Sequence, residues 1–140
     1  MTDTAVGNAA LVQGLYEAFG RGDVPTVLAA MDDRIEWYET EGNPWYTGRP
    51  FVGPQQVVEG VFSRIGEFEG FQIVPSRFLV DGDTVVMEGR YRAMRHQATG
   101  KPLDAEAVHV WDLRDGKLVR FHQYVDTRKW ADAMGITSSS

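Results

Sequence analysis

Residues 103–126 read LDAEAVHVWDLRDGKLVRFHQYVD, and their reading decides the fold. Ala107, His109, Trp111 and Leu113 fall on alternate positions, the period of an extended strand that buries one face. Arg114-Asp115-Gly116 is a hairpin turn signal, and a second run, 118–125, follows it directly. There Val119, Phe121, Gln123 and Val125 share one face while His122 alternates outward. Two strands joined by so short a turn are antiparallel.

The same pattern extends upstream. Strands are expected over 72–80 and 84–95, separated by Asp81-Gly82-Asp83, with Ala98-Thr99-Gly100-Lys101 turning the chain into 103–113. Downstream, Asp126 caps a short final helix over 127–134 that Gly135 terminates. The first third of the chain is helical instead. Val12, Leu15, Tyr16 and Phe19 follow the spacing of one helix face, ending at Gly20 and Gly22. Asp23 then caps a second helix with Pro25 in its first turn, and Asp32-Asp33 reads as that helix's end, with solvated carboxylates. From Arg34 the period becomes two, with Ile35, Trp37 and Glu39 on one face and Glu36, Tyr38 and Thr40 on the other. Residues 41–53 hold Gly42, Pro44, Gly48 and Pro50 among Trp45, Tyr46 and Phe51, too aromatic for a plain solvated loop and suited to cover a pocket mouth. Pro54 opens a third helix with the stripe Val57, Val58, Val61, Phe62 and Ile65. Helices followed by an antiparallel meander give an α+β class, the helices covering one side of the sheet.

Composition bounds the function. The chain has 140 residues, of which 43% are hydrophobic and 24% charged, ordinary globular usage for one domain. That domain is expected over 1–137, with 138–140 a tail. No cysteine is present, which removes disulfides, thiolate metal sites and a cysteine nucleophile. A net charge of −6 without a basic patch argues against nucleic acid. No signal peptide or membrane span is visible, so a cytoplasmic protein is expected. His96, His109 and His122 form no close ligand pair, and neither a phosphate loop nor a nucleophile elbow occurs; no metal or cofactor is expected.

Leu15-Tyr16-Glu17-Ala18-Phe19 with Gly22-Asp23, Ile35-Glu36-Trp37, Val108-His109-Val110-Trp111 with Arg114-Asp115-Gly116-Lys117, and Phe121-His122-Gln123-Tyr124-Val125-Asp126 together resemble the SnoaL-like branch of the nuclear-transport-factor-2-like superfamily. That superfamily also holds ketosteroid isomerase, scytalone dehydratase and limonene epoxide hydrolase. The resemblance covers nearly the whole chain. It implies a cone: a curved antiparallel or mixed sheet covered by three N-terminal helices, enclosing one pocket, with a short C-terminal helix. Because this fold hosts many activities, function rests on the pocket residues.

Glu39 matches the isomerase's carboxylate base, and its alternation with Ile35 and Trp37 points it inward. An apolar pocket raises a carboxyl pKa toward a useful base range. His109 matches a pocket histidine of the SnoaL-like cyclases, suited to donate to a carbonyl oxygen or relay a proton; a satisfied core histidine is the competing reading. Gln123 stands where the cyclases and the epoxide hydrolase carry their acid, and an amide exchanges no proton, although it can orient a carbonyl or a water. Arg90 falls at the epoxide hydrolase's pocket arginine, with Glu88 as its candidate partner; the competing reading is an outward surface arginine. Tyr16 is one position from the isomerase's oxyanion tyrosine but reads first as core, with a hydroxyl that needs a partner, and Trp37, Trp45, Phe62 and Trp111 read as pocket wall or core.

Glu39, His109 and Gln123 are thus the candidate catalytic residues, and Tyr16, Trp37, Trp45, Phe62, Arg90 and Trp111 the candidate substrate-binding ones. They are compatible with cofactor-free acid–base chemistry of the isomerase, cyclase or dehydratase type on an apolar carbonyl compound. The alternative is a non-catalytic binder or carrier of a lipophilic small molecule. The resemblance also implies a homodimer through the outer sheet face, where Tyr91, His122 and Tyr124 are expected.

Overall fold

A computed structural model describes residues 3–136; the expected tail 138–140 lies outside them. Helix α1 (Asp3–Gly20) buries Val12, Leu15 and Ala18. Asp23 caps α2 (Val24–Ala29) by accepting from the Thr26 amide at 3.2 Å. Strand β1 (Met31–Tyr38) follows at once, so Asp32 and Asp33 lie in a strand and do not close a helix. Parallel pairing overrides the local helix-end signal: Met31 registers with Leu118, and the Leu118 amide donates to the Ala30 carbonyl at 2.9 Å.

The main sheet has six strands in the order β2 (Phe51–Val52), β1, β8 (Lys117–Val125), β7 (Leu103–Arg114), β5 (Thr84–Ala93) and β4 (Gln72–Asp81). Only β1 and β8 pair in parallel, which makes the sheet mixed. Its sheet is curled and unclosed, as expected for the cone. The strand expected over 84–95 breaks after Ala93. Its end, β6 (Arg95–His96), instead pairs with β3 (Phe68–Glu69) as a separate ribbon. At the β7–β8 turn, Asp115 and Gly116 both have positive φ (52° and 75°), the backbone a two-residue hairpin needs.

The third helix is not uniform. α3 (Gly53–Val57) passes through a π turn (Val58–Phe62) into α4 (Ser63–Ile65). The wider turn lets Val57, Val61, Phe62 and Ile65 all face inward or pack on the core. Gly60 sits within this turn against the Phe51 ring; a Cβ there would lie 2.2 Å from ring carbon Cε1.

The core lies between these helices and the concave sheet face. A register shift between Asp112 and Leu113 turns Leu118 inward together with Phe121 and Gln123, leaving Val119 half-buried where the alternation expected it inside. On β5, Val85, Met87, Tyr91 and Ala93 are buried. Tyr91 therefore faces the core and not the outer surface on which it was expected. Arg90 is correspondingly outward, bonded to Asp104 at 2.8 Å, and Glu88 pairs with Arg77 at 3.2 Å. One-sided burial of a period-two strand separates Arg90 from Tyr91, and the outer position spares the guanidinium its desolvation cost. The outer face also carries a stack in which His122 lies 4.2 Å from Tyr124 and 5.5 Å from Tyr38, ring centre to ring centre. Helix α5 (Thr127–Ala133), capped by Asp126, swings Trp130 back against Trp45, Phe68 and Tyr91.

Candidate functional site

A cavity opens between α1, the helix of residues 53–65 and the inner face of β5, β7 and β8. Tyr16, Trp37, Trp45, Phe62, His109, Trp111 and Gln123 line it, with Phe71, Tyr91, Phe121 and Trp130 completing much of the wall. Its free interior, measured to the centre of a water-sized sphere, is about 50 Å³. That exceeds the ~10–15 Å³ one water requires. All empty space out through the mouth amounts to about 550 Å³.

The polar groups of the wall form one chain. His109 and Gln123 are register partners on β7 and β8, and Tyr91 stands beside them on β5. Gln123 Nε2 donates to the Tyr91 hydroxyl at 2.9 Å, and Tyr91 bonds His109 Nε2. His109 Nδ1 meets the Tyr16 hydroxyl at 2.7 Å, and Trp111 Nε1 donates to the same hydroxyl at 2.8 Å. At the other end, Asn43 Nδ2 donates to Gln123 Oε1 at 2.7 Å, and Asn43 Oδ1 accepts from the Trp45 backbone amide at 2.8 Å.

Glu39 is buried but stands behind this wall. Its carboxylate accepts from Trp37 Nε1 at 3.4 Å and from Asn43 Nδ2 at 3.5 Å, both long. Burial pushes its pKa up to about 7, with the Trp37 bond and the charge of Arg64 opposing the rise. Burial also lowers His109 to about 3, so the ring is neutral at physiological pH, and it raises both Tyr16 and Tyr91.

Neutrality of His109 permits a count of hydrogens. Gln123 and Trp111 each donate one. The remaining two links, Tyr91–His109 and His109–Tyr16, draw on one imidazole hydrogen and two phenol hydrogens. One phenol hydrogen is left over. Tyr91 is enclosed at 4% exposure, and a stranded hydrogen there would cost about 1–3 kcal/mol. Tyr16 is only part-buried and borders open space on both sides, the cavity and a groove beside Gln13, Glu17, Pro75 and Phe78. Tyr91 therefore donates to Nε2, His109 carries its hydrogen on Nδ1, and Tyr16 keeps the free one.

Two further donors lack acceptors among the described residues: the indole N–H groups of Trp45 and Trp130, whose rings meet edge to face at 5.0 Å. Both nitrogens of His96 are also without a hydrogen bond; Glu67 Oε1 lies 3.6 Å from its Nε2. Arg64 covers the Trp45 ring at 4.8 Å.

Eight of the nine residues singled out in the sequence come together around this cavity, seven in its wall and Glu39 behind it; Arg90 lies outside. The sequence reading passed over Asn43 and Trp130 and placed Tyr91 on the outer face. Tyr91 was legible, since it shares a period-two face with Val85, Met87 and Ala93 while Glu88, Arg90 and Arg92 fill the other. Asn43 sits in an irregular loop and offered no pattern.

The profile of the SnoaL-like domain matches residues 12–121. Among solved structures, the chain is similar to an NTF2-like protein from Burkholderia thailandensis, 33% identical over 91% of this chain and 96% of that one, with a TM-score of 0.85. It is also similar to an NTF2-like protein of unknown function from Burkholderia pseudomallei, 27% identical over 91% and 96%, with a TM-score of 0.81. TerC, co-crystallised with polyporic acid, is 25% identical over 92% and 98%, with a TM-score of 0.80. No curated protein matches. Among the described residues no helix is long and apolar enough to cross a membrane. Profile and structures agree with the geometry, and the chain belongs to the SnoaL-like domain family of NTF2-like proteins.

Proposed function

We propose that this chain binds a small apolar carbonyl compound in the cavity and polarises its carbonyl through the Tyr16 hydroxyl. The observation that carries this reading is the single uncommitted phenol hydrogen in a wall whose other phenol, imidazole and amide groups are bonded to one another. A carbonyl oxygen is the complement of a free donor, and the apolar wall supplies the remaining affinity. TerC, similar in fold and sequence, has been crystallised with a small molecule, polyporic acid.

The test compares 1-indanone with indane, which differ in the carbonyl oxygen. Calorimetric titration is expected to show tighter binding of the ketone by about 2- to 12-fold, one neutral hydrogen bond of about 0.5–1.5 kcal/mol. Tyr16→Phe is expected to remove the difference. Equal affinities in the unaltered protein would contradict the reading.

A second reading, enolisation of the bound carbonyl, is favoured by the buried Glu39 with its pKa near 7. The carboxylate would take a proton from the carbon beside the carbonyl as Tyr16 donates to the developing oxyanion. Since Glu39 stands behind Trp37 and Gln123, this reading needs it to reach the cavity. Exchange of the C2 hydrogens of 1-indanone in deuterated water, followed by NMR, tests it: acceleration that Glu39→Gln abolishes supports enolisation, and no acceleration leaves binding alone. Neither reading calls on a metal or cofactor.

A further inference from the structure

We infer that Asn43 is the positioning residue that sets the direction of the whole hydrogen-bond chain and so places the free hydrogen on Tyr16. The inference rests on the reading of Tyr16 as the carbonyl donor and names the residue that makes it one. An amide presents an acceptor on one side and donors on the other, so its orientation is a choice. For Asn43 the choice is fixed by the backbone: the Trp45 amide can only donate, at 2.8 Å, and holds Oδ1. Nδ2 is thereby turned to Gln123, 2.7 Å away. Gln123 must answer with Oε1, which leaves its Nε2 facing Tyr91 at 2.9 Å.

The consequence runs on along the chain. With Gln123 offering it a donor and no acceptor, the enclosed Tyr91 hydroxyl has only His109 Nε2 to receive its hydrogen; His109 then carries its own on Nδ1 and gives it to Tyr16. Tyr16, which already accepts from Trp111, ends with two bonds accepted and its own hydrogen free. Reversing Gln123 reverses every later bond. Tyr91 would donate to Gln123 Oε1, His109 would donate from Nε2 to Tyr91, and Tyr16 would donate to Nδ1, so no hydrogen would remain for a ligand. Asn43 touches none of the cavity's open space, and Gly42 and Pro44 flank it in the loop. Its burial at 3% exposure and the Thr40 hydroxyl's bond to the Gln123 carbonyl hold the loop and β8 in fixed relation.

The test is the tautomer of His109, read from the ring nitrogen resonances of the ligand-free, ¹⁵N-labelled full chain. Glu39→Gln is expected to keep the hydrogen on Nδ1. Adding Asn43→Asp to it supplies an acceptor-only carboxylate with no acidic neighbour, and the hydrogen is expected to move to Nε2. Gln123→Glu, made in the same Glu39→Gln background, is expected to give the same Nε2 pattern. In both variants the preference for 1-indanone over indane falls to that of Tyr16→Phe. A double variant that keeps the Nδ1 pattern while Gln123→Glu changes it would overturn the role of Asn43. Loss of the ketone preference in Tyr16→Phe, with no tautomer change in the double variant, would leave the carbonyl reading standing and sink this inference alone. Should the double variant not fold, Asn43→Ser serves: it is expected to give mixed tautomers, and a pure Nδ1 pattern would contradict the inference.

Discussion

Replacing Glu39 by Gln should remove the pH dependence of stability that this one buried carboxyl imposes. Its pKa rises from 4.5 to about 7 on folding because burial disfavours the charged form. A carboxyl with a raised folded pKa contributes stability that is full below 4.5 and is lost as pH climbs through about 7. Each pH unit in that window is worth about 1.4 kcal/mol, which gives a loss of about 2 kcal/mol between pH 5.5 and 8. His109 works in the opposite sense: lowered to about 3, it contributes stability above 6.5 that is lost as the medium turns acid. Raw stability curves of the unaltered protein therefore mix two opposed effects. The difference between Glu39→Gln and the unaltered protein cancels His109. Urea unfolding at pH 5.5 and 8 should show the variant gaining about 2 kcal/mol relative to the parent at the higher pH, with unchanged m. A difference that stays constant across this range would refute the burial argument for Glu39.

Gly60→Ala should destabilise by about 1–3 kcal/mol, measured by thermal or urea unfolding, because the new Cβ meets the Phe51 ring at 2.2 Å. In the ligand-free protein the indole N–H protons of Trp37 and Trp111, which have acceptors, should resonate downfield of those of Trp45 and Trp130, which have none among the described residues.

The fold was legible in the sequence wherever period and turn chemistry agreed. The run from Leu103 to Val125 shows a period of two, a positive-φ turn at Asp115-Gly116 and a cap at Asp126, and each took the structure it signals. Asp32-Asp33 misled because a parallel partner 87 residues away claims Met31, and local composition carries no trace of such pairing. Val119 misled because a bulge shifts the face by one residue. Of the site, Tyr16, Trp37, Trp111, His109 and Gln123 were found because period and resemblance coincided. Arg90 was assigned inward by resemblance against its own alternation, and the alternation prevailed. Asn43 was invisible because its role depends on a backbone amide two residues away and on a strand 80 residues distant.

The most direct test of the account is the infrared carbonyl stretch of 1-indanone bound to the protein. A hydrogen bond from Tyr16 should lower its frequency relative to the same ketone in Tyr16→Phe, and Phe at that position should return it toward the value in an apolar solvent. An identical stretch in both proteins would show that the free hydroxyl hydrogen does not meet the carbonyl, contradicting the function proposed for this cavity.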